Sequence, residues 1–236
     1  MTGVQTCALP ISLRQLDSAY TGPAIRVFNN STELTSDIGF TASGDLDTTA
    51  LSTFCGSNSC FVTTWYDQSG NAKNAIQSTP SMQPRIVNNG LIDMSGGHPS
   101  LVFSGAQSLS ANWGSGYTSY GHSAVYSRDN TTFPFGSVYH QGLGWSPGWI
   151  HAIEGNGPFN FGLNSENFIK TGGPGNAGAD GLNSTNTVAM GTVGVYTMNA
   201  PVGNISLYLN NTLEVSATRT GVSPVVNNVR IGSWDG

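Results

Sequence analysis

The sequence predicts an all-β chain, a sandwich or barrel of short strands. Apolar and β-branched residues recur at period two in short runs, and turn residues break those runs every 8–12 residues or about that. Glycine makes up 31 of 236 residues while charged residues are only 9%, which suits many turns between strands and not helices laced with ion pairs. No stretch keeps a helical apolar period for as long as three turns.

The chain opens with Met1 to Ile11, MTGVQTCALPI, which lacks the apolar core of a signal peptide. It resembles an in-frame translation of a sequencing-library adapter. We set residues 1–11 aside as a non-native leader, Cys7 with them, and expect one domain over residues 12–236. The true start, with any export signal, is expected upstream. Leu13, Leu16 and Tyr20 stand at near-helical spacing and predict a short lead-in helix. Ala24–Phe28 and Asp37–Thr41 read as strands joined across Asn29-Asn30-Ser31. Asp47 is placed to cap a helix over Thr48–Phe54 that buries Ala50, Leu51 and Phe54. A strand follows over Phe61–Tyr66, stopped by Asp67-Gln68-Ser69-Gly70-Asn71, where an Asp side chain can accept backbone N–H bonds two residues on.

Pro84–Val87, Leu91–Met94 and Ser100–Phe103 form a predicted meander whose first turn is Asn88-Asn89-Gly90. His122–Arg128, Ser137–His140, Trp149–Glu154 and Phe159–Leu163 continue it. Residues 172–181 read as a glycine-rich loop and Asn186–Met198 as a long strand region. Ile205–Leu209 turns at Asn210-Asn211 into Leu213–Val215 as a hairpin. Val229–Trp234 is the last strand, and the chain reads as cut there, because a sandwich needs a further strand over that edge.

Composition removes several function classes. Net charge is −5, with eight Lys and Arg spread singly, so no basic patch faces nucleic acid. No run reaches the roughly 18 apolar residues of a membrane span. A neutral sugar is the partner this balance opposes least. Gly144-Trp145-Ser146-Pro147-Gly148 matches G-x-S-x-G, but Pro147 lacks the N–H that an oxyanion hole after Ser146 needs. Gly173 to Gly178 matches G-x-G-x-x-G without the βαβ frame that gives it meaning. His98, His122, His140 and His151 do not fall at metal-ligand spacing. Asp45 and Asp47 lack the Gly and distal Glu of a calcium loop. We expect no metal site and no cofactor, although Asp67 leaves a cation and an Asx turn as competing uses.

Cys55 and Cys60 have four residues between them and no further Cys or His partners at zinc spacing, so a small disulfide loop is expected, and with it an oxidising compartment. The pair, with the strand ending Tyr66-Asp67-Gln68-Ser69-Gly70-Asn71, resembles the start of the fungal-type α-L-arabinofuranosidase B catalytic domain. Tyr20-Thr21-Gly22-Pro23-Ala24-Ile25-Arg26-Val27 is similar to the lead strand of bacterial relatives. The resemblance covers about residues 12–110. It implies a concanavalin A-like jelly-roll β-sandwich and hydrolysis of terminal arabinofuranosyl residues from polysaccharide. A D-x-S-G-N turn also occurs in laminin-G-like sugar-binding modules. The alternative is therefore a non-catalytic carbohydrate-binding or adhesion module of a secreted, cell-surface or phage-tail protein.

Glycosidases use two carboxyl groups about 5–5.5 Å apart for retention or about 6.5–9.5 Å apart for inversion. Glu33 and Glu214 read as solvated, leaving Glu154 and Glu166 among the four glutamates. Along Phe159–Asn164, Phe159, Phe161 and Leu163 share one face, and Asn160, Asn164 and Glu166 the other. A face of amides with one carboxylate suits sugar hydroxyls. In the family a Gly-Pro-aromatic strand is followed by Glu-Asn, the Glu being the nucleophile. Gly157-Pro158-Phe159 and Glu166-Asn167 are similar with one residue extra. The resemblance makes Glu166 the nucleophile; the residues alone also allow a solvated strand end. Ile231-Gly232-Ser233-Trp234-Asp235 resembles the family's strand end before its acid/base Asp, which makes Asp235 that residue, against a plain polar turn. Asn160, Asn164 and Asn167 are the candidate sugar-binding amides. Trp145 and Trp149 are candidate stacking surfaces, with a core role as the alternative. The family's adjacent Cys–Cys platform is missing here. Secretion or display at the cell surface follows from the resemblance.

Overall fold

The structure is a computed structural model that describes residues 10–112, 120–127, 135–141, 149–154, 160–165, 182–183, 188–189, 191–200, 204–218 and 228–232. The chain divides into two compact units, 1–113 and 114–236. In both, every described strand pair is antiparallel. The predicted all-β class holds: the described elements are strands, with one α-helix and one 3-10 turn over Pro80–Met82. None of the described helices is long and apolar enough to cross a membrane.

The first unit is built on β1 (Ile25–Asn29), which pairs with β2 (Thr35–Ile38) on one side and β3 (Cys60–Trp65) on the other. Period-two alternation decides what faces inward: Ile25, Val27 and Asn29 are buried and Arg26 is exposed. β4 (Ala75–Ile76) continues from β3 and meets β9 (Ser108–Asn112). β5 (Arg85–Asn88) also joins β3 and pairs with β6 (Leu91–Ile92) through a turn where Asn89 and Gly90 both take positive φ. A small pair, β7 (Met94–Ser95) with β8 (His98–Pro99), follows. The core beneath is Ala24, Ile38, Leu51, Val62, Ile86, Val87 and Leu109.

The helix α1 (Thr48–Cys55) is short and starts as predicted: the Asp47 side chain accepts from the Ala50 N–H at 2.9 Å. Its buried residues are Leu51 and Cys55; Ala50 and Phe54, expected inside, are only partly covered. The sulfurs of Cys55 and Cys60 are bonded, closing the predicted loop between α1 and β3. The β5–β6 turn clasps that loop. Gly90 N–H donates to Asn58 O, and Asn89 N–H donates to Ser59 Oγ.

Three sequence readings are corrected. Residues 13–20 form no helix; Arg14 instead makes an isolated bridge to Asp45, and the Gln68 side chain bonds the backbone of Ser12, Arg14 and Leu16. Residues 100–103 form no strand of their own; only Val102 pairs, with Arg85. Of the region expected as a strand over Asn186–Met198, the described residues 191–193 lie outside any strand, and the strand begins at Gly194. β4 and β9 were not foreseen: β4 is only two residues long, and β9 alternates just two apolar residues, Leu109 and Ala111, with polar ones.

The second unit holds a five-strand order and a four-strand order. In the first, β14 (Leu182–Asn183), β13 (Asn160–Ser165), β12 (Trp149–Glu154), β11 (Phe135–Gln141) and β18 (Asn228–Gly232) are neighbours in turn. In the second, β10 (Tyr120–Tyr126), β15 (Gly194–Ala200), β16 (Asn204–Leu209) and β17 (Thr212–Thr218) follow one another. Asn210 and Asn211 have φ of 48° and 66°, the two positive angles that a tight hairpin of this kind requires. Tyr196 and Leu207 are fully buried, and the Tyr196 ring stacks on Tyr126 with centroids 4.0 Å apart. Burial holds the Tyr196 phenol up at about 12.

Candidate active site

The strand expected to carry the candidate sugar-binding asparagines lies in the second unit. β12 and β13 pair without a register shift over their whole length, so residue parity alternates along both backbones. Asn164 stands opposite Ile150, Gly162 opposite Ala152, and Asn160 opposite Glu154. Those positions share one parity; Phe161 and Leu163 take the other. Through β11 the Asn164–Ile150 row continues to His140 and then to Arg230 of β18. Trp149 pairs with Ser165 and so belongs to the parity of Leu163, not to that of the asparagines.

Of the other predicted site residues, Glu166, Asn167, Trp145 and Asp235 lie outside the described residues, as do the two glycine motifs at 144–148 and 173–178. The strands leading to the two acids are described. β13 ends at Ser165, one residue before Glu166, in the row of Trp149. β18 ends at Gly232, three residues before Asp235. It runs past the row of Leu163, His151, Tyr139 and Ile231 toward the end of the sheet where Glu154 faces Asn160. β13 and β18 are antiparallel to each other and leave the sheet at opposite ends.

The motif behind the resemblance is structural. Asp67 and Gln68 are 4% and 3% exposed. Asp67 Oδ1 accepts from the Ser69 N–H at 2.8 Å, and Oδ2 accepts from Ser69 Oγ at 2.7 Å and from the Lys73 N–H at 3.0 Å. The Asx turn takes these oxygens, which answers the cation alternative with donors already in place. Gln68 holds a separate segment. Its Nε2 donates to Ser12 O and Arg14 O, its Oε1 accepts from the Leu16 N–H at 2.7 Å, and its backbone N–H donates to Pro10 O.

Two further polar centres escaped the sequence reading. Asn29 is 1% exposed; its Nδ2 donates to Phe54 O and Cys55 O at the end of α1, while Oδ1 accepts from the Ser31 and Thr32 N–H groups. The signal was an Asn at an inward strand position. Arg26 grips Asp37 through two bonds of 2.8 and 2.7 Å, and Tyr66 Oη donates to the same carboxylate at 2.8 Å. The guanidinium bonds hold the Asp37 carboxyl below its usual range. Burial first, and then the bond to Asp37, push the Tyr66 phenol up to about 12. Like-position pairs across β1 and β2 carry this signal, since Arg26 and Asp37 are register partners.

Comparison with known proteins bears on this frame. Residues 2–132 match the family described as alpha-L-arabinofuranosidase B, catalytic. An alpha-L-arabinofuranosidase of Hypocrea jecorina is 36% identical over 78 residues, which is 33% of this chain and 16% of that protein. A probable alpha-L-arabinofuranosidase B of Aspergillus clavatus is 37% identical over 79 residues, again 16% of its length. Among solved structures, a GH54 α-L-arabinofuranosidase variant soaked with 4-nitrophenyl α-L-arabinofuranoside superposes with a TM-score of 0.63 at 15% identity, covering 94% of this chain and 53% of that one. An arabinofuranosidase complexed with arabinofuranosyl-α-1,2-xylobiose gives 0.57 at 15% identity, covering 94% and 58%. The chain thus spans about half the length of these solved proteins, and at that identity the likeness shows a shared fold. With more than half of its residues inside the family match, the chain belongs to the α-L-arabinofuranosidase B catalytic-domain family.

Proposed function

We propose that the chain is a retaining α-L-arabinofuranosidase that removes terminal arabinofuranosyl residues from a neutral polysaccharide, with residues 12–236 acting as one domain. Glu166 attacks the anomeric carbon while Asp235 donates a proton to the departing glycosidic oxygen, so the C1–O bond breaks as the ester bond forms. Asp235 then takes a proton from water, which attacks C1 and frees Glu166. Asn160, Asn164 and Asn167 supply donors and acceptors to the sugar hydroxyls, with Trp145 as a stacking surface; Trp149, on the other parity, belongs to the opposite face of the sheet. Chemistry of this kind needs no cofactor. The disulfide fits work outside the cell, where such bonds persist.

The observation that supports the reading is the unbroken β12–β13 register, which keeps Asn160 and Asn164 on one parity and leads directly to Glu166-Asn167. The test is release of p-nitrophenol from its α-L-arabinofuranoside. Glu166→Gln loses at least about a thousand-fold in kcat. Asp235→Asn loses less on this substrate than on arabinoxylan, because p-nitrophenolate leaves without protonation. Full activity in Glu166→Gln sinks the assignment. A second reading has one specific observation behind it: Glu154 shares the Asn160 row at the end toward which β18 runs. Loss of activity in Glu154→Gln but not in Glu166→Gln transfers the nucleophile to Glu154. A chain that binds arabinoxylan but turns over nothing is the non-catalytic module.

A further inference from the structure

Four N-x-Ser/Thr triplets begin at described asparagine side chains: Asn29, Asn30, Asn204 and Asn210. Such a triplet is an acceptor for an N-linked glycan only where the amide and the hydroxyl can both reach a transferase, which in practice means a surface turn. The structure separates the four.

Asn29 and Asn30 overlap in Asn29-Asn30-Ser31-Thr32, the turn between β1 and β2. Asn29 is 1% exposed, and both ends of its amide are engaged, Nδ2 on the α1 carbonyls and Oδ1 on the Ser31 and Thr32 N–H groups. A glycan there would replace those bonds and fill a buried position, so a chain modified at Asn29 does not complete this fold. Asn210 is exposed, but its Oδ1 accepts from the Val195 N–H at 2.9 Å and its backbone sits at φ 48°. In Asn204-Ile205-Ser206 the Asn204 Nδ2 lies 3.3 Å from Ser206 Oγ, and Ser206 is 6% exposed. Asn30 differs from all three. It is exposed, as are Ser31 and Thr32. Its backbone N–H donates to Ser59 O, which fixes the turn, while its side-chain amide has no partner among the described residues.

We propose that Asn30 is an N-glycosylation site, used when the chain passes through a secretory pathway that carries an oligosaccharyltransferase. The donor is a lipid-pyrophosphate-linked oligosaccharide. The Asn30 amide nitrogen bonds to the anomeric carbon of the first sugar, the bond from that carbon to the pyrophosphate oxygen breaks, the lipid pyrophosphate leaves, and one amide proton passes to a base. The glycan then stands over the disulfide loop, because Asn30 is tied to Ser59.

The overlap of the two triplets supplies its own controls. Ser31→Ala destroys the Asn29 triplet and leaves that of Asn30 intact; Thr32→Ala does the reverse. Both side chains are exposed, and both backbone N–H bonds to Asn29 survive the change. The full chain is expressed in yeast behind a secretion leader and recovered from cells and medium. It is then treated with peptide N-glycanase in heavy-oxygen water, and the peptide spanning residues 27–37 is sequenced by mass spectrometry. The expected result is labelled Asp at position 30 in the parent chain and in Ser31→Ala, and none in Thr32→Ala. An unlabelled Asn30 in the parent chain, whatever the state of the other triplets, overturns the proposal, and so does a label at Asn29.

Discussion

Replacing Gln68 with Ala isolates the role of the motif that marks the family. The side chain makes hydrogen bonds of 3.2, 3.0 and 2.7 Å to Ser12 O, Arg14 O and the Leu16 N–H. Each such bond contributes a net of about 0.5–1.5 kcal/mol, so their joint loss costs about 2–4 kcal/mol. The cost falls on the segment from Ser12 to Leu16, which few other described bonds hold: Gln15 N–H to Gly44 O, Gln15 Nε2 to Tyr20 O, and Arg14 to Asp45 through an exposed pair. That segment opens locally before the unit unfolds. Hydrogen exchange at the Leu16 amide reads this directly. Protection there falls by about 30- to 800-fold in Gln68→Ala, while amides in β1 and β3 change far less. Unchanged exchange at Leu16 would refute the clamp and leave Gln68 as a buried residue that only fills space. Gln68→Glu adds a sign test. Its carboxylate would face two carbonyl oxygens in a buried site, so its folded pKa rises above the unfolded value. Stability is then retained below the unfolded carboxylate pKa, about 4.3, and lost as pH rises past it.

Further outcomes follow from other contacts. Gly90→Ala is destabilising because the added Cβ meets Gly56 O at 2.9 Å at φ 80°; we expect about 1–3 kcal/mol by chemical denaturation, and a neutral result would contradict the tight clasp. Removing the disulfide with Cys55→Ala and Cys60→Ala costs about 2 kcal/mol from loop entropy and more from the vacated core; reduction of the parent chain should reproduce the first part. Phenolate absorbance should show Tyr66 ionising near 12, and ionisation near the free value of about 10 would contradict the burial and the Asp37 bond of that phenol. Its folded pKa exceeds the unfolded value of about 10, so its contribution is complete below that pH and vanishes between there and 12. Asp37→Asn brings the Tyr66 titration down part of the way, since burial remains; no movement would mean that the Asp37 bond plays no part.

Much of the first unit was legible because local rules dominate there. Asp47 announced a helix start, Cys55 and Cys60 a loop, and Asn88-Asn89-Gly90 a turn with positive φ, and each of these depends on a few adjacent residues. Readings that needed distant partners fared worse. The spacing of Leu13, Leu16 and Tyr20 suggested a helix, yet the segment is fixed by Gln68 and by the Arg14 bridge to Asp45, neither of which leaves a period in the sequence. β4, two residues long, exists only because β3 and β9 lie on either side. In the second unit the alternation of Asn160, Phe161, Leu163 and Asn164 was readable and its register agrees, because parity is a local property of a strand. Trp149 and the asparagines looked like one set in sequence, but pairing across strands divides them between two parities. Nor could spacing alone show that β13 and β18 leave their sheet at opposite ends, which depends on the three antiparallel steps between them.

Covalent trapping bears most directly on whether this chain cleaves arabinofuranosides through Glu166. Incubated with this chain, an arabinofuranose-configured cyclic sulfate should add once per molecule, and the modified peptide should be the one bearing Glu166, with no adduct in Glu166→Gln. A chain that stays unmodified, or one labelled at Glu154 instead, contradicts it.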